Sequence, residues 1–491
     1  MAQHLIFSSH FVYSTAEGHC RIVINPIREA REMPMSTENL KHVVRRTSND
    51  AMILVLNTGA IINPEAEAML QALHSRSAGG IARHLEVLKR EGSERFMSLF
   101  YVGYGHKSIG DCGTCTIFIE GVSMLAAKAI QDWPLYSGQE ASTRFIDFAK
   151  QSFFDPTDTP EGTAVLNRWR LFYLRGTSVL QDFLTERFPR QAGENEITYE
   201  KAIRARSFDV MRGFLPAGAA TNLAWHTNLR QAVDHLMLLR HHPLHEVRDV
   251  ANAIEDALKE AFPSSFGQKR HAEMEEYNAM LLSEHMYFTR NKWLCKEFEV
   301  ERDGVDRRQL GQYEHLLRRR PPKTELPRIV GECGTLQFGF WLDFGSFRDV
   351  QRHRPVIQQM PLVVTDIGFE PWYLDELPSA LKTEAQNLIE EQDRAIAQLK
   401  RDGNFLSPFE RQYYIAMGYQ IPNRISGTIP EFTYLVELRA TRFVHPTLRK
   451  RAREMATAML KLYGDYGLVL HLDDDHDRFD VRRGEHDIVQ R

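Results

Sequence analysis

Cysteine is scarce in this chain. Five residues in 491 (Cys20, Cys112, Cys115, Cys295 and Cys333) are too few and too scattered for a disulfide framework, so reduced thiols are expected. No apolar run reaches the ~18 residues that a membrane-spanning helix needs. The opening stretch, "MAQHLIFSSHFVYSTAEGHC", lacks the basic-then-apolar order of a secretory leader. A cytoplasmic chain with no membrane partner is expected. An excess of one charge is also missing, since 61 Lys and Arg against 65 Asp and Glu leave a net charge of −4. That balance argues against nucleic acid as a partner and confines phosphate chemistry to local arginine clusters. There is no nucleophile elbow, and no zinc-protease pattern surrounds His241, His242 and His245. The glycines of "GYGHKSIGDCG" fit neither phosphate-loop consensus. Cys112-x-x-Cys115 has redox spacing, but its strand positions place the thiols on opposite faces. Asp473–Asp475 and His476 sit in a charged tail that reads as solvated. No metal site is expected.

What the chain does have is length for two or three domains and an internal echo. Residues 1–45 read as an irregular extension with a strand-like run at Arg21–Ile24. Helical spacing covers 62–102, an alternating strand pattern covers "TCTIFIEG", and "VSMLAAKAIQDW" reads as a buried helix stopped by Pro134. Further helices are expected at 161–186, 198–213 and 228–261. "IVGECGTLQFGFWLDF" (329–344) then repeats "SIGDCGTCTIFIEG" (108–121), and each runs into a helix ended by proline, "AIQDWP" and "DVQRHRP". "FDVMRGFLPAG" (208–218) lines up with "YIAMGYQIPN" (414–423), and "NLRQAVDHLMLLR" with "ELRATRFVHPTLR". The period is roughly 220 residues. The implied segments are an extension (1–45), a first repeat (46–270), a second, diverged repeat (271–470) and a charged tail (471–491). The basic run 316–328 is expected to be a loop.

Two stretches carry candidate chemistry. In "SGQEASTRF", Glu140, Ser142 and Arg144 are spaced by two, so an extended segment presents all three on one face. Arg forks onto phosphate and Ser donates to it, although an exposed strand with an internal Glu–Arg pair would read the same way. In "RDVQRHRPVIQQM", Arg352, His353 and Arg354 close a helix, where positive charge suits the macrodipole even without a ligand. Arg212, Arg230 and Arg240 lie on apolar helices, where a guanidinium needs an anion, internal or bound.

Together these residues resemble the flavin-dependent thymidylate synthase family, whose hallmark is Arg-His-Arg followed closely by Glu-x-Ser-x-Arg. An upstream Gly-His turn and downstream Arg…Leu-Pro and Asn-x-Arg…Leu-Arg elements are family features as well. The chain looks like two such units fused over roughly 50–470, with each hallmark kept in one unit. The first has Glu140, Ser142 and Arg144 but "QDWP" in place of Arg-His-Arg. The second has Arg352-His353-Arg354 but Met360, Leu362 and Val364 at the Glu, Ser and Arg positions. His106, Arg212 and Asn228 match the family in the first unit only, with Pro327, Gly418 and Glu437 as their counterparts. Arg230/Arg240 and Arg439/Arg449 match in both. Ile357 stands where the family has Ser.

The resemblance implies an α/β (α+β) fold, two helix-rich copies each with a central sheet. It implies reductive one-carbon transfer from methylene-tetrahydrofolate to C5 of dUMP, with FAD as cofactor and NADPH as reductant. The site would be composite and shared by the two repeats, in a homodimer resembling a pseudo-tetramer. Glu140, Ser142, Arg144, Arg212 and Arg352 would hold the nucleotide, and Arg240 or Arg449 would polarise its base. His106, Asn228, Arg230, Arg352, His353, Arg354 and Arg439 would line flavin and folate. A flavoenzyme acting on another pyrimidine nucleotide, or a non-catalytic nucleotide- or flavin-binding regulator, is the alternative.

Overall fold

Alternating burial builds the first sheet, and one glycine shifts its phase. In strand β3 (Thr114–Ser123), Cys115, Ile117 and Ile119 are buried, and then Val122 and Ser123. The change of parity falls at a bulge between Glu120 and Val122, where Gly121 adopts φ +73°; an extra residue with positive φ is how a bulge re-aims a strand. The computed structural model describes residues 42–56, 63–76, 80–103, 107–143, 146–290 and 296–473. His106, Arg144, the Arg21–Ile24 run and Asp474–His476 lie outside them.

The fold is mixed helix and sheet. Strands β1 (His42–Arg46), β2 (Met52–Leu56), β3, β4 (Ser137–Glu140) and β5 (Ala220–Asn228) form an antiparallel sheet in the order β1-β2-β3-β5-β4. The short β6 (Tyr287–Phe288) belongs elsewhere. Beyond it, β7 (Phe298–Asp303), β8 (Thr335–Asp343), β9 (Ile357–Gln358) and β13 (Gln420–Thr428) form a second antiparallel sheet, β7-β8-β13-β9. Its order matches β2-β3-β5-β4 of the first sheet. Strand β10 (Met360–Pro361) pairs with β6, and β11 (Lys400–Arg401) with β12 (Asn404–Phe405). One continuous apolar core draws residues from both halves. No helix among the described residues is long and apolar enough to cross a membrane.

The elements recur in order. A 3-10 turn, a long strand and a capped helix run Lys107–Cys112, β3, Met124–Gln131, and again Arg328–Cys333, β8, Phe344–Val350. A 3-10 turn, strand and two helices then run Arg212–Phe214, β5, Leu229–Leu239, His245–Ala261, and again Gln412–Tyr414, β13, Ile429–Arg439, Pro446–Tyr463. The two halves meet in a backbone seam of near-twofold symmetry. Ala217 N donates to Ile415 O at 2.9 Å and Met417 N to Leu215 O at 2.8 Å; Gly218 N donates to Tyr413 O at 2.9 Å and Gly418 N to Gly213 O at 2.8 Å. A Cβ on Gly218 would lie 2.6 Å from Tyr413 O and 2.9 Å from Phe154 O, both main-chain atoms with no freedom to turn away. Gly218→Ala is therefore expected to cost about 1–3 kcal/mol through forced backbone shifts, read as a lower denaturant midpoint.

Several expectations need correction. His42–Arg46 is a strand of the first sheet, not part of an extension. The helices expected across 228–261 are Leu229–Leu239 and His245–Ala261, but the strand β5 before them was not anticipated. Glu314–Arg319 is helical, and the buried Arg320 that follows it pairs with Glu437. The repeat register also differs. Ser123 and Asp343, both helix N-caps, are 220 positions apart, but Ala220 and Gln420, which open β5 and β13, are 200 apart. The proline of "YQIPN" mimicked the Leu-Pro of "GFLPAG", whereas Gly218 in fact answers to Gly418. The counterpart of Arg212 is then Gln412, not Gly418, and that of Asn228 is Thr428, not Glu437; both Asn228 and Thr428 are helix N-caps. Arg240 follows the end of Leu229–Leu239, while Arg449 lies inside the next helix of its half, so the two are not equivalent.

Candidate functional site

The helices Met124–Gln131 and Phe344–Val350 are matched in position and carry the centre of the site. Ser123 and Asp343 cap them by accepting from the amides of Ala126 and Ser346, the usual way to satisfy a first-turn N–H. Five residues beyond each cap stands a cation, Lys128 in one half and Arg348 in the other. Both reach the same carboxylate, Glu140, at the end of β4. Lys128 Nζ donates to Glu140 Oε2 at 2.5 Å, Gln131 Nε2 to the same oxygen at 3.0 Å, and Arg348 Nη2 to Oε1 at 2.5 Å. The three charged side chains are 0%, 1% and 8% exposed for Lys128, Glu140 and Arg348. Burial alone would push the Glu140 carboxyl up, but Arg348 and Lys128 hold it well below the usual range. Burial brings Lys128 down to about 8, against the pull of Glu140.

A cavity of ≈ 280 Å³ opens beside this cluster. The first half lines it with Gln131, Tyr136 and the strand Ser137–Glu140, and the second half with Gln351, Arg352 and Arg354. Arg354 donates to the Tyr136 carbonyl and Gln351 Nε2 to the Lys128 carbonyl, the latter at 3.0 Å. The separated stretches "SGQE" and "QRHR" thus face one space within a single chain. Arg352, half-exposed, stands 4.0 Å from Asp349. Asp349 would be raised by burial but is lowered by Arg212, Arg352, Arg439 and Arg348, a cationic group drawn from both halves. Arg212 donates to Ser346 Oγ at 3.2 Å. The buried Nε atoms of Arg212 and Arg348 have no hydrogen-bond partner among the described residues.

His353 is not one of the cations. It is buried, Arg439 Nε donates to its Nε2 at 2.7 Å, and burial, then Arg439, lowers it to about 3. Accepting at Nε2 fixes the neutral Nδ1–H tautomer. NMR of the ring nitrogens is expected to show no His353 titration between roughly pH 8 and pH 5. Arg439 also donates to the Asp349 carbonyl at 2.8 Å, which ties the end of its helix to the Arg352 turn.

Other predicted residues lie elsewhere. Ser142 is exposed just past β4. Asn228 caps its helix by accepting from Gln231 N at 2.8 Å, and Arg230 pairs with Asp111 at 2.8 Å. Arg240 is bound by Glu275 (Nε to Oε2, 2.8 Å) and faces Glu255. Arg449 is buried and donates to Ala440 O at 2.9 Å. Neither Arg240 nor Arg449 lines the cavity. Among the described residues no three His, Cys, Asp or Glu side chains gather to hold a metal. Sequence reasoning missed Lys128, Arg348 and Asp349. The signal lay in two similar stretches, since "AAKAIQ" and "SFRDVQ" place a cation at the same point of two apolar helices.

Residues 60–264 match the family model described as thymidylate synthase complementing protein, so the resemblance read from the motifs is shown over the first half. Similar proteins extend further. A "UPF0159 protein" of Chlamydia muridarum is 25% identical over 417 residues, covering 74% of this chain and 78% of that protein. One from Thermoplasma acidophilum is 23% identical over 431 residues, covering 74% and 85%. A third, from Chlamydia pneumoniae, is 22% identical over 421 residues, covering 74% and 78%.

Proposed function

We propose that this chain is a thymidylate synthase-like flavoenzyme, transferring one carbon from methylene-tetrahydrofolate to C5 of dUMP at a composite site assembled from its two halves. The observation that carries this reading is the single cavity shared by Ser137–Glu140 and by Arg352 and Arg354, the complementary remnants of one family hallmark. The match to the thymidylate synthase complementing family supports the reaction class. The recurring order of elements supports descent from a duplicated unit, with the first repeat over 46–270 and the second over 271–470. On that view the opposite site has lost its chemistry. Met360, Leu362 and Val363, on the stretch answering to Glu140–Arg144, are buried and apolar, and β10 pairs with β6. Two chains would then reproduce the four-unit arrangement of the family.

The residues suit a phosphorylated ligand. Arg352 and Arg354 supply guanidinium forks at the cavity. A volume of ≈ 280 Å³ is at the lower end of ligand pockets, about 300–1,000 Å³. It suits one nucleotide moiety rather than a whole dinucleotide. FAD, when bound, would supply the hydride chemistry. The chain's part is to bind and orient. Arg352 and Arg354, with Ser142 and Arg144 by resemblance, would hold phosphate. Arg439, tied to His353 and the Asp349 carbonyl, would hold the Arg352 turn in place, and the polarising role proposed for Arg240 or Arg449 has no support from the lining of this cavity. His106, Asn228 and Arg230 remain proposed flavin or folate contacts.

The test is the absorbance spectrum of purified protein loaded with FAD and titrated with dUMP, followed by NADPH oxidation with methylene-tetrahydrofolate present. A flavin spectrum that responds to dUMP, and dUMP-dependent oxidation with release of the C5 hydrogen, are expected. Saturable binding without turnover would favour a regulator. A protein that takes up no FAD would remove the proposal.

A further inference from the structure

We infer that Lys128 and Arg348 are positioning residues that clamp Glu140 from the two halves and so set the Ser137–Ser142 segment against the Arg352–Arg354 turn. The inference rests on the nucleotide-site reading above and adds to it that Glu140 acts through the protein rather than on the ligand. Glu140 borders the cavity, yet both its oxygens are taken. Oε2 accepts from Lys128 and Gln131, and Oε1 from Arg348. A carboxylate whose oxygens already hold three charge-assisted or amide bonds has little left to offer a ligand, and an anionic ligand would be repelled by it.

The geometry of the clamp follows from the repeat. Lys128 and Arg348 stand at the same distance from their caps, Ser123 and Asp343, on matched helices, but they meet at one acid. The stretch answering to Glu140 in the second half carries the buried, apolar Met360. Two cations on one anion leave a positive charge beside the cavity, where it favours phosphate. The clamp also spans the junction. Lys128 and Glu140 belong to the first half and Arg348 to the second, and Arg348 lies on the helix that leads directly into Arg352. Gln351, between them, donates to the Lys128 carbonyl. Loosening Arg348 would therefore release the Arg352 turn from β4 without removing a ligand contact.

Hydrogen exchange and dUMP calorimetry on the full-length protein test this together. In Arg348→Met the Lys128–Glu140 pair remains, so the chain keeps a neutral buried pair and is expected to fold. Should Arg348→Met prove unstable, Lys128→Met reads the same clamp from the other side. In Arg348→Met the amides of 137–142 are expected to exchange roughly tenfold faster, and dUMP to bind roughly tenfold more weakly. Arg348→Lys should restore both. Unchanged exchange in Arg348→Met overturns the clamp whatever the ligand result. Faster exchange with unchanged dUMP affinity overturns the positioning role. Faster exchange, rescued by Arg348→Lys, in a wild type that binds no dUMP leaves the clamp standing and removes the nucleotide reading instead.

Discussion

Glu140→Ala is expected to cost on the order of 3–5 kcal/mol of folding stability, the range for leaving buried charges without their partner. Two cations would be stranded, Lys128 at 0% and Arg348 at 8% side-chain exposure, without the carboxylate that balances them. Chemical denaturation should show a large drop in midpoint with little change in slope. Replacing the whole cluster with apolar residues of similar volume is expected to be far milder than removing Glu140 alone, because no uncompensated charge then remains. The pH dependence has a definite sign. The folded carboxyl is held below its ordinary value of 4.5, so the unfolded chain takes up the proton first as pH falls. The stabilisation from Glu140 is complete above the ordinary carboxylate range and is lost progressively between roughly pH 5 and pH 1. Lys128 has the same sign over a higher pH window. Its folded value, about 8, lies below its ordinary 10.5, so between these the unfolded chain holds more protons and stability rises with pH. Acid unfolding curves of wild type and Glu140→Ala should therefore converge at low pH.

Arg352→Ala is expected to weaken dUMP binding by about 2–3 kcal/mol, roughly 30- to 150-fold, with almost no loss of stability. Its side chain is half-exposed and its ion pair with Asp349 is long, 4.0 Å, so the fold draws little from it. A phosphate at the cavity would draw much more. Arg240→Ala is the informative contrast. Arg240 is committed to Glu275 and Glu255, so its loss should lower the melting temperature and leave dUMP affinity within about twofold. Calorimetric titration of both variants checks the pair of outcomes. Equal losses of affinity would mean that the cavity beside Arg352 is not the nucleotide site.

The sequence made some of this legible and hid the rest for physical reasons. Alternation in "TCTIFIEG" and the matched "GTLQFGFWLDF" gave the two central strands, because one buried face imposes a period of two. Strand β5 was missed. "ATNLAWHTN" alternates weakly, and its place between β3 and β4 comes from partners far away in sequence. The complementary half-motifs pointed to "SGQE" and "QRHR" together, and one cavity is lined by residues of both stretches. The clamp was not legible, since an isolated Lys or Arg in an apolar helix does not reveal which acid it will meet. Register failed where a proline recurred by coincidence, and cap residues would have served better. Ser123/Asp343 and Asn228/Thr428 are each fixed by helix geometry, whereas Pro216 and Pro422 are not equivalent.

The seam between Gly213–Gly218 and residues 413–418 bears on how the chain comes into being. Each of its hydrogen bonds joins residues about 200 positions apart, so none can form until the second member has left the ribosome. At about 5–20 residues per second, the first half would wait roughly 10–40 s with its side of the seam open. During that interval its unpaired edge could accept the same segment from a neighbouring nascent chain as readily as from its own. The near-symmetry that makes the finished junction also makes exchange between copies its characteristic error, and slow synthesis or crowded polysomes should favour interlocked dimers over correctly closed chains.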